Sequence, residues 1–125
     1  MQGTRGFEVQ PARLGAVLAF VGVGLGAFGA HSLEGIVTPE RLDTFEIGVR
    51  YQMYHALALL AIGALPAKGH RAALFMFVGS LIFSGSLYVL VLSGVSWLGA
   101  VTPIGGVLML IGWALLFVNL GKRDV

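Results

Sequence analysis

An all-α membrane protein, an antiparallel bundle of four transmembrane helices, is the fold class this sequence predicts. Three observations predict it. The 125-residue chain is 57% hydrophobic and only 11% charged, against about 25% charged in an ordinary soluble domain. From Ala72 to Gly121 there is no Asp, Glu, Lys, Arg or His. A soluble core of this size could not bury such a run, whereas a bilayer span needs roughly 20 apolar residues. The remaining charges fall at the ends of apolar stretches, where membrane topology puts them. A single integral membrane domain over residues 1–125 is expected.

The first span is expected at about residues 12–31, built on LGAVLAFVGVGLGAFGA (Leu14–Ala30) and closely preceded by Arg13. A secretory signal peptide is the rival reading of this segment. The apolar run is longer than the usual stretch of about 7–15 residues, so the span is expected to be kept. The second span, about 50–67, is ended by Pro66 and the basic cluster Lys68, His70, Arg71. The third, about 72–92, is broken by Ser93-Gly94-Val95-Ser96, a turn sequence. The fourth, about 98–120, stops at Gly121 before Lys122 and Arg123. Short connections of this kind favour up-down-up-down packing.

Four spans place Arg5, Arg13, Lys68, Arg71, Lys122 and Arg123 on one side. Arg41 and Arg50 fall on the other with Glu34, Glu40, Asp43 and Glu46. The positive-inside rule then puts both termini in the cytoplasm of a multi-pass cell (inner or plasma) membrane protein, or on the equivalent side of an organelle.

Thr38-Pro39 reads as N-cap and first helical residue, with Glu40 suited to the first turn. Leu42, Phe45, Val49, Met53 and Ala56 recur on one face after it. A short amphipathic lead-in at the outer interface is expected there, anchoring the second span or docking a partner.

Lipid gives helices no hydrophobic reason to associate, so small residues mark the places where backbones approach. Gly15, Gly22, Gly26 and Gly29, with Ala12 and Ala19, make one seam along the first span, and Gly22/Gly26 is a GxxxG pair within it. Ala72, Gly79, Ser86 and Ser93 repeat every seven residues, as do Gly105 and Gly112. A period near 3.5 favours left-handed packing. Such seams fit a neighbouring helix of the same chain or of another copy. Gly-x-Val-Thr-Pro occurs twice, at Gly35–Pro39 and Gly99–Pro103, which hints at two related hairpins.

Gly48, Tyr51, Gln52 and His55 lie at i, i+3, i+4 and i+7 and share one face of the second helix. His31, Ser84, Ser86, Tyr88 and Thr102 bring polar groups from the other three spans toward the same outer end. This cluster has three readings. Its members hydrogen-bond across helices, or line a proton or solute path, or His31 and His55 clamp a haem iron or metal. The packing reading leads. No HxxxH spacing or acidic group within the spans supports a metal, and Tyr88 is the one ionisable side chain of the last two spans.

Several chemistries are excluded. The absence of cysteine removes disulfides and thiol catalysis. No carboxylate lies in any span to orient a histidine, so no hydrolase triad is expected. The glycines of Gly22–Gly26 sit in a membrane helix rather than after a strand, so they are no dinucleotide fingerprint. No catalytic residue, cofactor or metal is expected. A net charge of +2 argues for no nucleic-acid partner.

Four motifs in order, GAFGAH (Gly26–His31), GVRYQMYHALALL (Gly48–Leu60), FSGSLYVLVLSG (Phe83–Gly94) and LGAVTPIGGVLMLIGW (Leu98–Trp113), resemble the small membrane proteins classed as domain of unknown function 423. Their animal relatives are called transmembrane protein 256. The resemblance runs from about Leu14 to Leu120. It implies a four-span helical fold and no established activity. It points to His31, Tyr51, Gln52, His55, Ser84, Ser86, Tyr88, Thr102 and Pro103 as the recurrent polar positions, and Ser32 stands where relatives often carry Gly or Ala. The function expected is therefore a non-enzymatic structural or accessory membrane component, meeting the lipid bilayer and either another copy or a membrane-protein partner. The alternative is a small transporter or channel for a neutral or protonatable solute.

Overall fold

Four helices lie in chain order in the computed structural model, which describes residues 10–65 and 69–121. They are α1 (Pro11–Phe28), α2 (Pro39–Ala64), α3 (His70–Ser93) and α4 (Thr102–Gly121). Among the described residues the fold is all-α, apart from an isolated bridge between Glu34 and Val37. The expected charges at Arg5, Lys68, Lys122 and Arg123, and the expected end of the second span at Pro66 and Ala67, lie outside the described residues.

Among the described residues three stretches are long and apolar enough to cross a membrane: Pro11–Leu33, His70–Ser93 and Ser96–Gly121. The 26 residues of α2 reach about 39 Å at 1.5 Å per residue, so length is not what sets it apart. Its composition is, because Glu40, Arg41, Asp43, Glu46 and Arg50 share the helix with Gln52 and His55.

Local chemistry explains the helix ends. Pro11 and Pro39 open α1 and α2, where a missing N–H costs nothing. The Thr38 hydroxyl accepts from the Arg41 N–H at 3.2 Å. The lead-in and second span are one continuous helix, because nothing between Pro39 and Ala64 breaks the hydrogen-bond ladder. α1 widens into one π-helical turn, Gly29–Leu33, and the chain then reverses at Gly35, whose φ is +84°. α3 ends on Gly94 at φ +77°, with its N–H on the Leu90 carbonyl at 2.8 Å. The Arg41 guanidinium donates to the same carbonyl at 3.3 Å, placing a cation at the negative end of α3.

Glycines set the spacing between helices. A Cβ at Gly15 would lie 2.6 Å from the Ala56 carbonyl oxygen, one at Gly22 2.7 Å from the Met53 sulfur, and one at Gly29 2.9 Å from the Phe45 ring. Residue numbers fall along α2 as they rise along α1, so the two helices run in opposite directions. On the far side, Gly79 meets the Gly105 carbonyl and Met109, Gly112 meets Met76 and Ala72, and Gly105 sits against the Phe83 backbone nitrogen. The seven-residue repeat of α3 therefore faces α4 at Ala72, Gly79 and Ser86, the last bonded to Thr102. Gly26 has looser packing, its Cβ position lying 3.4 Å from Val49.

The helices pack as a row. α1 lies on α2, α2 on α3 and α3 on α4; α1 grazes α3, and among the described residues α1 and α4 do not approach. Two apolar clusters result. One gathers Leu18, Ala56, Leu59, Ile62, Ala73 and Met76, near the end where Gly63 touches Ala12. The other gathers Leu33, Phe45 and Val91 at the opposite end.

Replacing Gly105 by Ala must push α3 and α4 apart, because the added carbon meets backbone rather than a flexible side chain. A loss of about 1–3 kcal/mol is expected, read as unfolding in detergent micelles. Gly24→Ala, with nothing within 4 Å, should be neutral or stabilise by up to about 1 kcal/mol.

Candidate functional site: a polar layer between two apolar clusters

The polar side chains of α2 and α3 meet in the layer that separates the two apolar clusters. Gln52 is its centre. Its Nε2 donates to the Leu18 carbonyl of α1 at 2.8 Å, and its Oε1 accepts from the Tyr88 hydroxyl of α3 at 2.6 Å. One buried amide thus ties three helices. Next to it the Ser84 hydroxyl donates to the Gly48 carbonyl at 2.7 Å. Gly48 is what allows this: a Cβ there would sit 2.8 Å from the Tyr88 ring. The Phe45 ring also packs against Tyr88, tilted by 44° with ring centroids 5.0 Å apart, and helps to hold the phenol in place.

A second set links α3 to α4 near the start of α4. Ser86 Oγ and Thr102 Oγ1 are 2.6 Å apart, and Thr102 also donates to the Leu98 carbonyl at 3.4 Å. A third set lies farther along. The Trp113 indole N–H donates to His55 Nε2 at 3.0 Å, and His55 Nδ1 is 2.8 Å from the Tyr51 carbonyl. An indole nitrogen only donates. Nε2 must therefore accept, and Nδ1 carries the hydrogen that goes to Tyr51. That tautomer satisfies both ring nitrogens and leaves no lone pair for a metal.

His55 lies deeper than the outer end toward which the sequence was expected to gather the polar groups. Gly22, midway between Pro11 and Leu33, abuts Gln52 and Met53. Gln52 is thus level with the middle of α1, and His55 lies beyond it. Thr102 and Trp113 are 11 residues apart along α4 (113 − 102), about 16 Å of helix. The polar groups form a ladder descending into the fold rather than a cluster at one end.

His31 does not join them. It is exposed in the π-helical turn, at the level where Gly29 meets Phe45. Ten residues separate Phe45 from His55 along α2 (55 − 45), about 15 Å, so the two histidines cannot clamp one iron. Tyr51 is 39% exposed, and its ring lies against Phe83 and Tyr54 at centroid distances of 5.1 and 5.4 Å. Among the described residues no group of three or more His, Cys, Asp or Glu could hold a metal ion. An apolar groove of about 230 Å³ runs between α1 and α3 past Val21, Leu25 and Leu81, with Gln52, Ser84 and Tyr88 along its floor.

Sequence reasoning overlooked three partners. The Leu18 carbonyl carries no side-chain signal. Trp113 carried one, since an indole N–H inside an apolar helix needs an acceptor. Ser80, buried with its hydroxyl 3.8 Å from the Met109 sulfur, looked like any small residue.

The profile of the family described as "Protein of unknown function (DUF423)" matches residues 25–106. The chain belongs to the DUF423 family. Curated relatives agree. It is 48% identical over 109 residues to a UPF0382 membrane protein of Staphylococcus aureus (strain bovine RF122 / ET3-1), covering 84% of this chain and 89% of the relative. It is 46% identical over 111 residues to the UPF0382 membrane protein YwdK of Bacillus subtilis (strain 168), covering 84% and 90%. No solved structure matches it. Relatives named as membrane proteins, together with three helices apolar enough to span, place this DUF423 protein in a membrane.

Truncating Gln52 to Ala strands the Tyr88 hydroxyl and should destabilise the fold by about 1–3 kcal/mol. Tyr88→Phe should cost less, because the amide keeps Leu18. The double-mutant cycle, read from unfolding in detergent micelles, should return a coupling of about 0.6–1.7 kcal/mol, the range for hydrogen bonds between membrane helices.

Proposed function

We propose that this protein is a four-span membrane component with both termini in the cytoplasm, and that its polar layer locks helices for assembly rather than for catalysis or transport. The observation that carries this reading is the pair of hydrogen bonds made by the Gln52 amide, to Leu18 and to Tyr88. A permeation path needs polar groups turned toward water. Here Gln52, His55, Ser84 and Ser86 are buried and their bonds run to neighbouring helices or to their own backbone.

The fourth span is supported by register. α2 lies along α1 from Phe45 against Gly29 to Gly63 against Ala12, so a bilayer crossed by α1 is crossed by α2. The polar residues that lower the apolar character of α2 are then tolerable where they face protein. The orientation is supported by charge. Arg13 and Arg71 lie at the end where Gly63 meets Ala12 and Gly69 meets Ile62, and α4 runs toward that same end. Glu34, Glu40 and Asp43 lie at the other.

A second reading, passage of a small neutral or protonatable solute, draws on the groove between α1 and α3 that ends on Gln52 and Tyr88. Its walls are almost wholly apolar, which suits lipid tails better than a hydrated solute.

The chain has no native cysteine, so topology is directly testable. A cysteine replacing Glu34 should be labelled by an impermeant thiol reagent from outside the cell, and one replacing Arg71 only after permeabilisation; labelling of both from one side contradicts four spans. Liposomes carrying the protein should leak protons and small solutes no faster than empty ones. His55→Ala should lower the unfolding midpoint without changing that leak. A leak abolished by His55→Ala would favour the transport reading instead.

A further inference from the structure

One face of α2 is left over when the other three helices have packed. Asp43, Glu46, Ile47, Arg50, Tyr54 and Leu57 are all exposed and recur at helical spacing, so they form a single stripe pointing away from α3. The stripe runs deep. Val49 lies against Gly26, seven residues before the end of the apolar stretch at Leu33 (33 − 26), which is about 10 Å below the outer end of that stretch. Arg50 therefore sits at membrane depth, and a charged side chain there is costly unless it faces protein or water. Apolar residues would have been the choice for a face that meets lipid, as on α4, where Phe117 is 79% exposed.

We infer that this face of α2 is a two-fold interface with a second copy of the chain, held by reciprocal pairing of Glu46 with the partner's Arg50. The inference rests on the four-span reading, since it uses Arg50 at membrane depth. Copies inserted the same way round are related by a two-fold axis along the membrane normal, which sets their α2 helices parallel. In a two-fold interface, residue i meets j and j meets i. Glu46 and Arg50 are one turn apart, about 6 Å, a step that the long arginine side chain covers. Both charges are thus satisfied by one symmetric contact. The stripe also borders a recess of about 420 Å³ between α1 and α2, walled by Gly26, Phe45, Val49 and Met53. It gives the Tyr54 ring of the second copy room to pack.

The test uses the full chain in its own membrane. Single cysteines replacing Ile47 or Tyr54 on the stripe, and Phe117 on α4, are oxidised and run without reductant. The expected result is a disulfide-linked dimer from the first two at several-fold the yield of the third. Charge exchange separates a contact between copies from a Glu46–Arg50 pair within one helix. Glu46→Arg alone and Arg50→Glu alone should each lose the cross-link several-fold. Differently tagged copies of the two variants, expressed together, should recover it as a mixed dimer. Equal cross-linking at all three positions, an adduct with a different protein, no adduct at all, or no recovery in the mixed pair each overturns the interface. Cysteines at Glu34 and Arg71 report the topology in the same cells. If they fall on opposite sides and no dimer forms, the interface alone fails; if they fall on one side, the four-span reading fails with it.

Discussion

A glutamine amide held in hydrocarbon has two N–H donors and a carbonyl to satisfy, and lipid satisfies none of them. This constraint shapes the middle of the molecule. Gln52 is 4% exposed, so its partners must come from protein, and they come from two different helices. The Leu18 carbonyl and the Tyr88 hydroxyl fix where α1 and α3 stand relative to α2. Sliding either helix by one residue moves its partner about 1.5 Å and leaves a buried polar group unmatched, at about 1–3 kcal/mol. Apolar packing alone is less selective, because one leucine contact resembles the next.

Small residues and polar residues divide the work. Gly15 and Gly22 on α1, Gly29 in the π-helical turn that follows it, and Gly79, Gly105 and Gly112 on α3 and α4, determine how near the backbones come. Backbone proximity brings the Gly48 carbonyl within reach of Ser84, and it brings Ser86 to Thr102. The apolar clusters on either side of the layer supply contact area without direction. Arg41 adds a fastening at the end of the molecule where α3 stops, its guanidinium reaching the last turn of that helix.

Much of the helical layout was legible in the sequence because its signals are local. Thr38-Pro39 starts a helix wherever it occurs, Gly94 ends one, and the charge-free run from Ala72 needs a membrane. The start of α2 was legible too: Thr38-Pro39 opens a helix ahead of the apolar span, and the backbone runs unbroken from Pro39 to Ala64. Of the polar residues, Gln52, Ser84, Ser86, Tyr88 and Thr102 meet one another or the backbone nearby, while His31 stands apart and Tyr51 faces outward. Periodicity assigns a residue to a helix face but not to a depth, and depth comes from which residue lies opposite. That is why His55 looked superficial until Trp113 was seen against it. A backbone acceptor such as Leu18 leaves no trace in the residue type at all.

The central claim is that the Gln52 amide is enclosed by α1, α2 and α3. Side-chain amide exchange tests it most directly. The chain has three glutamines, Gln2, Gln10 and Gln52, so ¹⁵N labelling of glutamine in protein reconstituted into liposomes gives three pairs of side-chain signals. After transfer to D₂O one pair should persist far longer than the other two and should show a through-space contact to the Tyr88 ring. Rapid exchange of all three, with no such contact, would contradict the account.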